Sequence, residues 1–149
     1  MGFSQDLAFG KKYEELAIFL LQDEEVIHRP EGKFKEYDFK TNKAIYEIKS
    51  DRLSYNTGNF FIEFQCSNKP SGIMSTSADF WIYFVITPVS LANYPNNHRI
   101  YRIPTSYIKE QIKGNPRSIF GGDGYRSKGY LIPETKFKNY LISQHDDEN

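Results

Sequence analysis

The chain has 149 residues, 39% hydrophobic, 16% aromatic and 26% charged. That balance fits one compact domain over residues 1–149 and excludes intrinsic disorder. No run approaches the roughly 20 apolar residues of a membrane-crossing helix, and Met1 to Lys12 lacks an export-signal pattern, so a cytoplasmic protein (host cytoplasm if viral) with no membrane partner is expected. Cys66 is the only cysteine, which excludes an internal disulfide and a cysteine-built zinc cage. The net charge of zero is unevenly spread: residues 1–97 carry 10 Lys/Arg against 13 Asp/Glu, residues 98–145 carry 9 against 3, and Asp146, Asp147 and Glu148 close an acidic tail expected to be flexible. The basic part suits a polyanion, although solvated faces are commonly charged too.

In chain order, Leu7, Phe9, Tyr13, Leu16, Ala17, Leu20 and Leu21 recur at helical spacing and predict a helix over Ser4 to Gln22, with Ser4 as its N-cap. Lys33 to Phe39 and Ala44 to Ser50 read as an antiparallel hairpin across Lys40 to Lys43. A third strand, Asn59 to Cys66, follows a turn at Tyr55 to Gly58. The apolar run Phe80 to Thr87 reads as a central strand. His98 to Ile103 is another strand, Pro104 to Lys113 a short helix, Gly129 to Ile132 a short strand and Pro133 to Leu141 a terminal helix. The order predicts an α+β or α/β sandwich with a mixed sheet. No repeat or linker interrupts it.

The chemistry-bearing residues are Asp38, Glu47 and Lys49. Strand side chains alternate faces, so Glu47 and Lys49 point the same way about 7 Å apart. A two-residue turn at Asn42 and Lys43 sets Asp38 opposite Glu47; a turn at Thr41 and Asn42 sets it opposite Ile45 and diagonal to Glu47. Either register leaves the two carboxylates near enough to share one cation. Two hard oxygen ligands suit Mg²⁺, with Mn²⁺ as substitute, and Mg²⁺ takes phosphate oxygens as further ligands. Lys49 would hold an attacking water and offset charge building on the phosphate. The same acid-x-Lys spacing recurs at Glu31 to Lys33, Asp38 to Lys40 and Glu134 to Lys136, so the tripeptide alone carries little information. The competing reading is a solvated edge hairpin whose cross-strand pair contributes under about 1 kcal/mol.

With these pieces in place, the sequence resembles the PD-(D/E)XK nuclease superfamily, which includes restriction endonucleases, phage exonucleases and Holliday junction resolvases. The resemblance covers about residues 9 to 87, through Gly10-Lys11-Lys12-Tyr13-Glu14, Tyr37-Asp38 and Glu47-Ile48-Lys49. Tyr37 stands where the family has proline. Gly58 to Gln65, and Ser71-Gly72-Ile73 to Ala78-Asp79-Phe80-Trp81, look like small phage-type members. The resemblance implies a restriction-endonuclease-like fold, a central mixed sheet flanked by helices, and Mg²⁺-dependent hydrolysis of DNA phosphodiesters. It implies that Asp38, Glu47 and the Ile48 backbone carbonyl hold the metal, that Lys49 orients the water, and that Glu14 is the helix acid. Glu14 shares a helical face with Gly10, Ala17 and Leu21, whereas Glu15 falls on a more polar face.

Glu63 and Gln65 share a face of the third strand; if it pairs with Ala44 to Ser50, Glu63 becomes a supporting or additional ligand and Gln65 a phosphate contact, an ordinary edge position being the alternative. Arg126 and Lys128, in the glycine-rich Gly121 to Gly129, and Lys69, Ser71 and Arg52 near the presumed site are candidate nucleic-acid contacts. His28, His98 and His145 show no ligand spacing and read as surface or capping residues, and Trp81 reads as core. Little room is left for sequence-reading elements, so structure-selective or weakly specific cutting, by a homodimer with a site for each strand, is the economical expectation. Two other readings compete: a nuclease-like module that binds nucleic acid without cutting, and an accessory or virion protein whose hairpin charges are solvated.

Overall fold

The computed structural model describes residues 3–32, 35–87, 98–121 and 123–144, with side chains from Ala8 onward and without that of Asp123. Its first helix, α1 (Phe3–Leu20), buries Tyr13, Leu16 and Ala17, one face at helical spacing. The expected helix is thus found to within two residues, while the side chains of Ser4 and Leu7 lie outside the described part.

Among the described residues the strands are β1 (Val26–His28), β2 (Phe39–Thr41), β3 (Ile45–Asp51), β4 (Asn59–Cys66), β5 (Lys69–Pro70), β6 (Phe80–Ile86), β7 (His98–Pro104), β8 (Ser118–Gly121), β9 (Ser127–Pro133) and β10 (Leu141–Gln144). They form a six-stranded sheet in the order β1-β2-β3-β6-β7-β10 and a four-stranded sheet in the order β5-β4-β9-β8. Within the larger sheet β3 and β6 run parallel while β6 and β7 run antiparallel, so the sheet is mixed. The chain is therefore an α/β protein with a mixed central sheet flanked by helices. Among the described residues no helix is long and apolar enough to cross a membrane.

β6 explains the layering. Its side chains alternate, but both faces are covered, so the strand reads as unbroken apolar sequence. Ile82, Phe84 and Ile86 pack with Tyr46 and Ile100 against Tyr13, Leu16 and Ala17 of α1. Trp81, Tyr83 and Val85 face the other way, onto Phe60 and Ile62 of β4, Ile132 of β9, Phe137, and Ile108 of a second long helix, Thr105–Lys113. Phe60 is stacked between Tyr83 and Phe137, with ring centroids 3.9 and 4.9 Å away.

Several expectations need correction. The hairpin's first strand is three residues long and starts at Phe39, with bends at Glu36 and Asp38; Lys33 and Phe34 lie outside the described residues. The hairpin is not at the sheet edge either, because β1 covers β2. Tyr55 to Gly58 is not an open turn: Ser54–Thr57 make one helical turn closed by Gly58 in the left-handed region. The third strand does not pair with β3; β4 belongs to the second sheet, beside β5 and β9. The terminal segment Glu134–Tyr140 is a 3-10 helix followed by β10, not an α-helix. His98 is no surface residue: it is fully buried, and its Nε2 shares a hydrogen bond with the Tyr13 hydroxyl at 3.0 Å. His145 and the acidic tail lie outside the described residues.

One glycine is dictated by the close approach of another segment's backbone. Gly72 has φ +53, and a Cβ on it would fall 2.2 Å from the Glu63 carbonyl oxygen, where the 3-10 turn Gly72–Met74 crosses β4. Gly72→Ala is expected to cost about 2–4 kcal/mol in denaturant unfolding, from backbone strain and from backbone displaced at β4. A loss below about 0.5 kcal/mol would show that this crossing relaxes freely.

Candidate metal centre

β2 and β3 pair with Phe39 opposite Tyr46 and Lys40 opposite Ile45. The turn is closed by the Thr41 amide on the Ala44 carbonyl at 2.8 Å, and the Ala44 amide donates to Thr41 Oγ1 at 3.1 Å. This is the Asn42-Lys43 turn, and continuing its register brings Asp38 opposite Glu47. Because β2 stops at Phe39, the outer half of β3 has a strand partner only on the β6 side. The Ile48 amide instead donates to Asp38 Oδ2 at 2.7 Å. In an extended strand the N–H and C=O of one residue leave on the same side, so the Ile48 carbonyl opens toward this edge as well.

Glu14 reaches the same edge from α1. Its carboxylate ion-pairs with Arg29 at 3.5 Å and Lys35 at 3.9 Å, and Lys35 also meets Asp38 Oδ1 at 3.3 Å. Glu15, the neighbour on the more polar face, is taken by Arg29 at 2.6 Å. Burial and the negative charge of Asp38 hold the Glu14 carboxyl above its ordinary range, against the pull of Lys35 and Arg29. The effect is larger at Glu47, whose carboxyl is pushed up to about 8, chiefly by burial. Lys49 opposes the shift, and Asp38, hydrogen-bonded to Glu47, adds to it. Three acids from a helix, a strand entrance and a strand interior thus lie within electrostatic reach of one another.

Lys49 stands on the Glu47 face of β3, with its ammonium 5.5 Å from the centre of the Trp81 ring. Beyond it opens a cavity of about 590 Å³, lined by the end of β3 and by side chains of the second sheet, Glu63 among them. Glu63 therefore borders the space beside Lys49 without its strand pairing with β3, and its carboxylate accepts the Ser71 hydroxyl at 2.8 Å.

The remaining candidates lie elsewhere. Gln65 donates to Asn68 Oδ1 at 3.3 Å and borders a separate shallow recess with Phe64 and Pro70. Lys69 is exposed on β5, Arg126 is exposed before β9, and Lys128 is a β9 residue rather than a loop residue, with its ammonium over the rings of Phe64 and Phe120. None of these four borders the Lys49 cavity. Sequence reading missed Lys35, because a continuous strand over Lys33 to Phe39 would put Lys35 and Asp38 on opposite faces. The bends in this segment bring them together.

The donor chemistry fits a hard divalent ion: two carboxylates and a backbone carbonyl at an open strand edge are oxygen donors of the kind Mg²⁺ takes, with positions left over for water and phosphate. Among the described residues no group of three or more His, Cys, Asp or Glu side chains is drawn tightly enough to hold an ion unaided. Glu14 would have to leave Arg29 and Lys35 to complete such a group. Comparison of the chain with protein-family models, curated proteins and solved structures finds no match.

Proposed function

We propose that the protein is a Mg²⁺-dependent DNA nuclease of the PD-(D/E)XK type with a restriction-endonuclease-like fold. The observation that supports this best is the convergence of Asp38, Glu47 and Glu14 from three elements at one open strand edge, with Lys49 on the adjoining face. Asp38, Glu47 and the Ile48 carbonyl would hold the ion, whose Lewis acidity would act on the scissile phosphate. Lys49 Nζ donates hydrogen bonds to the attacking water and offsets negative charge growing on the phosphate oxygens. Asp38 holds β3 in position through the Ile48 amide, so one residue ties the ligand geometry to the backbone. A homodimer would supply one such centre to each strand of a duplex.

Incubation of the purified chain with supercoiled plasmid and branched DNA tests the reading. Nicking in Mg²⁺ or Mn²⁺, and none with chelator, is the expected result. Salt-sensitive binding with no cleavage in either ion would sink it and leave the second reading, a nucleic-acid-binding module of nuclease-like fold. That second reading has its own support: Lys35 and Arg29 already neutralise Glu14 and Asp38.

A further inference from the structure

The cavity beyond Lys49 has a chemistry that cleavage of a phosphate does not require. Two cations face it, Lys49 and the exposed Arg117 at the entrance to β8; Arg52 also borders it but lays its guanidinium over the Phe9 ring of α1, 4.6 Å from the ring centre. Its two acids are engaged within the fold. Asp51 accepts the amides of Leu53 and Ser54 at 2.8 and 2.9 Å and the Tyr83 hydroxyl, and Glu63 accepts Ser71. Arg117 makes no ion pair with a described residue. The floor is apolar, with Ile119, Leu131 and the ring of Phe61. That ring is seated on glycine backbone: a Cβ on Gly129 would fall 2.6 Å from its carbons, and one on Gly121 3.1 Å. Phe61 is thus fixed in place by the second sheet while still bordering open space.

A flat aromatic platform, an apolar floor and a rim of cations call for a planar group attached to an anion. The volume of about 590 Å³ falls in the range of roughly 300–1,000 Å³ typical of small-molecule sites, which admits a single unstacked nucleotide and not a paired duplex. We propose that the cavity receives an unpaired nucleotide next to the scissile phosphate. Its base stacks on Phe61 and its phosphate meets Arg117. This deepens the nuclease reading and rests on it: the substrate class becomes DNA with a single-stranded end, flap or extruded base, since a base held in a stack does not enter such a pocket.

The test is fluorescence anisotropy in EDTA, where cleavage plays no part, comparing a labelled blunt duplex with the same duplex carrying a short unpaired overhang. The native protein is expected to bind the overhang duplex about tenfold more tightly, as stacking of one base supplies. Phe61→Leu and Arg117→Glu are each expected to erase the preference; the second is a surface change that leaves the fold intact. Equal affinities for the two DNAs, or a preference that survives both substitutions, would overturn the assignment. The readout is independent of the metal centre. Loss of nicking with the overhang preference kept would count against the nuclease alone, whereas nicking with no preference would count against the pocket alone.

Discussion

Lys49→Met is expected to lower Mg²⁺-dependent nicking by about 10²–10⁴-fold, the range found when a group acting on transition-state charge or proton transfer is removed. Methionine keeps an unbranched stem against Trp81, so thermal stability should change little, and the loss would be one of chemistry. Asp38→Asn should give a loss at least as large by another route. The amide oxygen can still accept the Ile48 N–H now bound at 2.7 Å, but the charge that a divalent ion needs is gone. Lys49→Met should therefore leave Mn²⁺ binding detectable by calorimetry, and Asp38→Asn should not. Full nicking by Lys49→Met would remove Lys49 from the reaction and, with it, the assignment of the centre.

The second large effect is on pH dependence. In the folded, ion-free chain Glu47 holds its proton up to about 8, whereas the unfolded chain releases it near 4.5. Between those values the folded state binds the extra proton, so stability is greatest below about pH 4.5 on account of this group and falls as pH rises toward 8. The raised Glu14 carboxyl acts in the same direction. The loss is on the order of 3 kcal/mol from Glu47, and Glu47→Gln should flatten most of it in denaturant unfolding at pH 5.5 and 8. A divalent ion competes with the same proton, so its affinity should rise with pH up to about 8, with roughly one proton released per ion bound. Constant stability across this interval in the native chain would show that Glu47 is charged in the fold.

What the sequence makes legible is what local alternation controls. β4 was predicted residue for residue and β6 to within one, because Asn59 to Cys66 and Phe80 to Thr87 are bounded by turn-forming residues and dense in aromatic and β-branched side chains. The facing of Glu47 with Lys49, and the approach of Asp38, follow from strand periodicity and a short turn. The two-sheet division was not legible. β1 and β8 are short, and β8 is a partner of β9 in a sheet whose pattern is broken by Gly121 and Gly129, where Phe61 of another strand covers the missing side chains. His98 looked like surface because its burial depends on Tyr13, 85 positions away. Lys35 was hidden by an assumption of continuous strand; its contacts with Glu14 and Asp38 exist only because the backbone bends there.

The register of β4 on β9, with Asn59 opposite Pro133 and Cys66 opposite Ser127, has a consequence for how the molecule comes into being. The acids at the open edge of β3 are contributed by the first third of the polypeptide, and β4 follows directly. The opposite bank of the recess, with Arg117, Ile119 and Leu131, emerges from the ribosome only after the intervening strands have been made. Bringing such distant segments together is slow because a long loop must close before any contact compensates for it. The acidic cluster is therefore drawn from residues 14–47 of the chain, whereas the chamber beside it exists only where β4 meets segments from the last third of the polypeptide.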